Sequence, residues 1–185
     1  GTAKPNADAA TIGGRRLIGQ KGSMQEGGAL VPMLVYWPNV TPKGKVSNDL
    51  ISAVDFLPTF AEIAGVQLPT DKVFDGQSFN AQLHGQKGNP RSSIYIQLAR
   101  NWYARNSDYK LNQKGELYDM SKAPFEEILV PADSQEPKAM AARKSLQAEL
   151  DRLNPQGGII DTGDESGRHA SNINKKAKKE KKEDN

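Results

Sequence analysis

A lysine set among glycines is a ready means of holding an anion. The run Gly19-Gln20-Lys21-Gly22-Ser23-Met24-Gln25-Glu26-Gly27-Gly28 puts Lys21 in a glycine-rich turn. An acidic residue and two further glycines follow it, and the run leads into the apolar stretch Leu30 to Trp37. An ester of sulfate or phosphate needs positive charge and N–H donors aimed at it. Lysine supplies a compact charge with three donors, and glycines let the backbone come close to a ligand. Lys21 is therefore the candidate anion contact, although Lys-Gly-Ser in isolation also describes a solvated surface loop. Glu26, beside two glycines, reads as a carboxylate that holds the turn by accepting backbone N–H bonds.

Other chemistry has less to work with. The chain has no cysteine, which excludes disulfides, thiolate metal sites and cysteine nucleophiles within it. The two histidines, His84 and His169, belong to no local motif and are read as non-catalytic. There is no Gly-x-Ser-x-Gly elbow and no His-x-x-x-His metal spacing. Asp71 and Asp75 lack the spacing of an EF-hand calcium loop, so no metal ligand is assigned. The net charge of +3 comes from the end of the chain, where residues 172–185 hold six lysines against three acids. That Lys-rich tail could attract a polyanion, but it has no interleaved aromatic residues for base stacking. A solubilising tail is the favoured reading over a nucleic-acid-binding one. No apolar run approaches the roughly 20 residues needed to span a bilayer.

These residues need elements to position them. Residues 1–28 read as a long loop, the kind that is usually functional or disordered. Leu30 to Trp37, apolar without alternation, fits a strand buried on both faces of a parallel sheet. A short strand is expected around Lys45–Ile51. A helix is expected from Phe56 to Ala64, with Asp55 as N-cap, Pro58 in the first turn, Leu57, Phe60, Ala61 and Ala64 on its apolar face, and Gly65 closing it. Short strands at Ser93–Leu98, Trp102–Asn106, Tyr109–Asn112 and Glu116–Met120, joined by tight turns, predict an antiparallel sheet. Pro137 precedes a second helix over about Lys138–Leu153, with Ala139, Ala142, Leu146, Leu150 and Leu153 on one face. The expected class is α/β: the end of a sheet domain over 1–70 carrying the anion loop, a small α+β subdomain over 71–155, and a disordered tail over 156–185.

The same residues resemble, in order, the type I, formylglycine-dependent sulfatases of the alkaline phosphatase superfamily. The segment Lys21-Gly22-Ser23 through Glu26-Gly27-Gly28, Pro32 and Trp37-Pro38 is similar to that family's Lys-Gly-Ser/Thr-x-x-Glu-Gly-Gly-x-x-x-Pro-x-x-x-x-Trp-Pro. Val54-Asp55-Phe56-Leu57-Pro58-Thr59 through Ala64-Gly65-Val66 resembles its Val-Asp-Leu-x-Pro-Thr helix. Asp75-Gly76-Gln77-Ser78-Phe79 with Leu83 and Gly85, Tyr109-Lys110-Leu111, and Glu116-Leu117-Tyr118-Asp119-Met120 with Pro124 and Glu126 resemble three further family segments. The match spans about residues 19–130.

The resemblance implies an alkaline-phosphatase-like sheet domain ending in a small antiparallel sheet with a packing helix. It implies an arylsulfatase-like, calcium-dependent sulfuric ester hydrolase whose nucleophile is a formylglycine made in a Cys/Ser-x-Pro/Ala-x-Arg motif. Lys21 would be both catalytic and substrate-binding, neutralising charge on the sulfate. Asp55, Asp75, Tyr109, Tyr118 and Asp119 are assigned to structure. The nucleophile motif is missing here, Ala123 stands for the usual aspartate before Pro124, and Ile128 for an asparagine. Gly1-Thr2 resembles the residues after the family's Asp-Asn metal pair. The chain is thus expected to be the C-terminal part of a sulfatase, inactive alone, whose calcium ligands and nucleophile lie in an N-terminal remainder. A sulfate ester is the expected substrate, with a periplasmic or extracellular location and no membrane partner. The alternatives are a phosphate or phosphonate ester hydrolase of the same superfamily, and a non-catalytic binding module using the basic tail.

Overall fold

The computed structural model describes residues 11–157. The expectations for Gly1-Thr2, His169 and the Lys-rich tail fall outside them. Residues 11–31 and 95–157 belong to one compact unit and residues 32–94 to a second.

The first unit is built on a five-stranded antiparallel sheet in the order β3-β4-β5-β6-β7. Its strands are β3 (Ile94–Leu98), β4 (Asn101–Arg105), β5 (Tyr109–Asn112), β6 (Leu117–Asp119) and β7 (Ile128–Leu129). The register sets Ala104 opposite Leu111, Arg105 opposite Lys110, and Lys110 opposite Tyr118. Alternation along each strand then separates two faces. Ala104, Tyr109, Leu111 and Leu117 pack with Ala139, Ala142, Leu146 and Leu150 of the helix α4 (Pro137–Leu153) to form the core. The helix begins at Pro137, whose missing N–H costs nothing in a first turn, and stops at Asn154 in the left-handed conformation. The expected antiparallel sheet, packing helix and apolar helix stripe are all present. The mixed α/β class therefore holds.

Two small elements were not expected. Residues read as loop contain the hairpin β1 (Thr11–Ile12) and β2 (Arg15–Arg16), with Thr11 opposite Arg16. Gly13 and Gly14 form its two-residue turn, both at positive φ, as the favoured hairpin turn requires. One helical turn, α1 (Glu26–Ala29), follows the Lys21 loop.

The second unit departs further from expectation. No strand forms over Leu30–Trp37 or Lys45–Ile51. Leu34 is 97% and Tyr36 90% exposed. A strand buried on both faces exists only with neighbours to pair and cover it, and no described segment supplies them. The expected helix is present as α2 (Phe56–Ile63), with Gly65 at φ 66° beyond its end. Its apolar face is not buried: Leu57 and Phe60 are exposed, and Thr59 is its one buried residue.

Asp55 is not the N-cap its position suggested. A 3-10 turn over Ala53–Asp55 leads into α2, so Asp55 is already helical at φ −77° and ψ −17°. An N-cap needs an extended backbone to turn its side chain back on the helix. The carboxylate instead accepts from the Ser52 and Gln77 N–H groups, both at 2.8 Å, and from Arg91 Nη2 at 2.6 Å. Burial alone would push this carboxyl up, but the Arg91 guanidinium and the two N–H donors outweigh it and hold it below its usual range. Thr59 Oγ1 donates to the Asp55 carbonyl and accepts from the Phe79 N–H, which ties α2 to the segment before α3 (Asn80–Leu83). Among the described residues no helix is long and apolar enough to cross a membrane.

Candidate functional site

The Lys21 loop is a closed structure rather than a free excursion. Ser23 N–H donates to the Gln20 carbonyl at 2.9 Å, and Gln20 N–H donates to Ser23 Oγ at 3.0 Å. These two bonds draw a tight turn whose outer residues are Lys21 and Gly22. At the loop's base, Gly27 N–H donates to the Ile18 carbonyl at 2.7 Å. A Cβ on Gly27 would lie 2.5 Å from the carbonyl oxygens of Ile18 and Gly19, and one on Gly28 2.1 Å from that of Ser23. The paired glycines are thus required by the loop's own closure. Lys21 is exposed at the tip. Beside it an open-sided cavity of about 340 Å³ is lined by residues 16–20 with Ser23 and Gln25. Lys21 itself is not part of that lining.

The base of the loop rests on the sheet face opposite α4. Glu26, only 3% exposed, pairs with Arg105 Nη1 of β4 at 2.8 Å. The expectation that its carboxylate holds the local turn is therefore corrected: it bonds a guanidinium from a distant strand. Arginine satisfies a buried carboxylate with fixed donors, whereas the Gly27 and Gly28 N–H groups are already given to the Ile18 and Gln25 carbonyls. The Glu26 N–H donates to Glu127 Oε1 at 3.2 Å. Glu127 Oε2 in turn accepts from Lys110 Nζ of β5, and Lys110 Nζ also donates to the Met24 carbonyl at 3.3 Å. Lys110 is 4% exposed and lies 5.1 Å from the ring centre of Tyr103 and 5.3 Å from that of Tyr118, within cation–π range.

Tyr103 completes this layer. Its hydroxyl is buried with no hydrogen-bond partner. Burial raises its pKa far above the ordinary phenol value, and the nearby Glu26 carboxylate adds to the effect. The hydroxyl stays protonated. Upstream of the loop, Ile18 N–H donates to the Pro124 carbonyl at 3.1 Å, and the Arg15 guanidinium lies 3.9 Å from the centre of the Phe125 ring. Both contacts tie the approach to the loop to the β6–β7 connection.

Of the residues assigned to structure, Asp55 and Tyr109 are buried in polar and apolar cores respectively, and Tyr118 donates to Glu116 at 3.0 Å. Asp119 Oδ1 accepts from the Ser121 N–H, and the Asp75 carbonyl accepts from Arg91. His84 sits edge-on to Trp37, with Nδ1 3.0 Å from the Asn80 carbonyl. Sequence reasoning passed over Arg105, Lys110 and Glu127. A signal existed for Lys110, a lysine between two apolar residues in mid-strand; Glu127 lies in a turn and carried none. Among the described residues, no group of three or more His, Asp or Glu could hold a metal ion. A calcium site therefore does not fit the described residues.

The profile of the family described as N-sulphoglucosamine sulphohydrolase, C-terminal, matches residues 18–156. The chain is similar to an arylsulfatase of Hemicentrotus pulcherrimus, 36% identical over 93 residues, which cover 50% of this chain and 17% of the relative. It is similar to a steryl-sulfatase of Mus musculus, 43% identical over 67 residues, covering 36% and 11%. An ulvan-active sulfatase of Formosa agariphila is 38% identical over 78 residues, covering 42% and 15%. The chain thus spans less than a fifth of these relatives' own length.

Proposed function

Because this chain belongs to the C-terminal N-sulphoglucosamine sulphohydrolase family, we propose that it is the C-terminal part of a sulfuric ester hydrolase and that Lys21 contacts the substrate's sulfate. The observation that carries the reading is the braced loop with an exposed lysine at its tip, lying inside the matched residues 18–156. The closed turn fixes where the Lys21 backbone sits, so its ammonium reaches a sulfate oxygen by ordering its own side chain alone. As the ester S–O bond breaks, charge grows on the departing oxygen, and a fixed cation stabilises that charge more than it stabilises the bound ester.

A formylglycine nucleophile and a calcium ion, which the resemblance implies, would be supplied by residues outside this chain. Its sequence holds neither cysteine nor the modification motif, and its described residues offer no metal-ligand set. On this reading the chain alone does not turn over sulfate esters. The exposed run Leu30–Tyr36 supports the same partition. Its uninterrupted apolar residues suit a strand added to the sheet of an N-terminal remainder.

The test is Lys21→Ala in the parent enzyme, assayed with matched aryl sulfate and aryl phosphate. Loss of one electrostatic contact at the reacting group predicts a fall in kcat of about 10²–10³ for the sulfate, with an unchanged thermal midpoint. Near-normal sulfate turnover would refute the assignment. A parent that hydrolyses the phosphate better than the sulfate would move the proposal to phosphate esters.

A further inference from the structure

We infer that Arg105, Lys110 and Glu127 are positioning residues that set Lys21 against its anion through Glu26 and Met24. The inference rests on the reading of Lys21 given above. Its physical basis is the placement of four charged side chains where apolar ones would serve stability as well. Arg105 and Glu26 are 12% and 4% exposed at the side chain, and Lys110 and Glu127 are 5% and 7% exposed. Desolvating such pairs is costly, and well-packed apolar replacements are often neutral or stabilising. What the ion pairs add is register.

Three separate bonds meet on two residues, Met24 and Glu26, with only Gln25 between them. Lys110 holds the Met24 carbonyl, Glu127 holds the Glu26 N–H, and Arg105 holds the Glu26 carboxylate. The bond from Gly27 to Ile18 closes the loop immediately beyond, and the Gln20–Ser23 turn carries Lys21 at its tip. No loose residue separates the clamp from the turn: Ser23, which closes the turn, is bonded directly to Met24. A shift of the clamped segment is therefore delivered to the lysine, and a misplacement of about 1 Å at a reacting group can cost on the order of 10²-fold.

The experiment uses the parent enzyme and two readouts: calorimetric titration with inorganic sulfate, which needs no turnover, and kcat/KM for an aryl sulfate. Glu26→Gln is made in the native and in the Lys21→Ala background. With Lys21 present, we expect the isosteric substitution to weaken sulfate binding and lower kcat/KM, each by about tenfold or more. With Lys21 already removed, it should add nothing, because what it disturbs is gone. Arg105→Lys keeps the charge and serves as a second variant should Glu26→Gln not fold. Equal losses in both backgrounds, or no loss with Lys21 present, would overturn the inference while leaving the Lys21 contact standing. If Lys21→Ala alone alters neither readout, the Lys21 reading falls, and this inference falls with it.

Discussion

At position 110 a lysine occupies the middle of a strand whose neighbours, Tyr109 and Leu111, are both buried. It is accommodated because Glu127 neutralises it and the Tyr103 and Tyr118 rings face it. Asp55 poses the same problem in the second unit, and Arg91 with two N–H donors resolves it. Asp55→Asn leaves the Arg91 charge without its partner, so it should destabilise that unit by about 3–5 kcal/mol near neutral pH. The pH dependence has a definite sign. Since Asp55 is held below the ordinary carboxylate value of 3.8, its contribution is complete above that pH and is lost as pH falls through the folded-state value. Urea unfolding of this chain and its Asp55→Asn variant should therefore give a gap that is constant above about pH 5 and narrows below pH 3.8. A gap that widens on acidification would contradict the pairing.

Among the elements, α4 and the sheet beneath it were the most legible. The spacing of Ala139, Ala142, Leu146 and Leu150 is helical, and all four are buried against β4, β5 and β6. Leu146→Ala should cost about 2–5 kcal/mol, read as a fall in the thermal midpoint, because its side chain is among the most completely buried in the protein. An unchanged midpoint would show that the helix does not supply the core. The hairpin at Thr11–Arg16 was passed over although Gly13-Gly14 is a strong turn signal; two-residue strands are too short to show alternation. The Leu30–Trp37 run shows the opposite limit. Its apolar pattern was correctly seen, but a strand is a property of a pair, and a single segment cannot reveal where its partner lies. The turn that carries Lys21 was legible because glycines mark it. Glu127 was not, because its partners, Glu26 and Lys110, are joined to it only by the fold.

For the molecule as a whole, exposed apolar surface is the dominant fact of the second unit. Leu34, Tyr36, Val46, Leu57, Phe60 and Val73 are all solvent-facing, and apolar surface of this kind marks interaction sites where it is contiguous. The chain alone should bind a hydrophobic dye and self-associate at micromolar concentration, whereas the parent should do neither. Leu34→Asp in the parent should destabilise it by at least about 3 kcal/mol, the cost of an uncompensated buried charge. A parent thermal midpoint that did not move would sink the idea that this run is covered there. The clamp on the Lys21 loop has a different consequence, one of timing. Glu26 and Glu127 are 101 positions apart. On a ribosome adding about 5–20 residues per second, the loop is made roughly 5–20 s before its last anchor exists. Until then the Glu26 N–H lacks its Glu127 acceptor, and Lys110, made earlier, lacks its counter-charge. If Lys21 contacts sulfate as proposed, a polypeptide released before Glu127 carries that lysine on a loop whose clamp is incomplete.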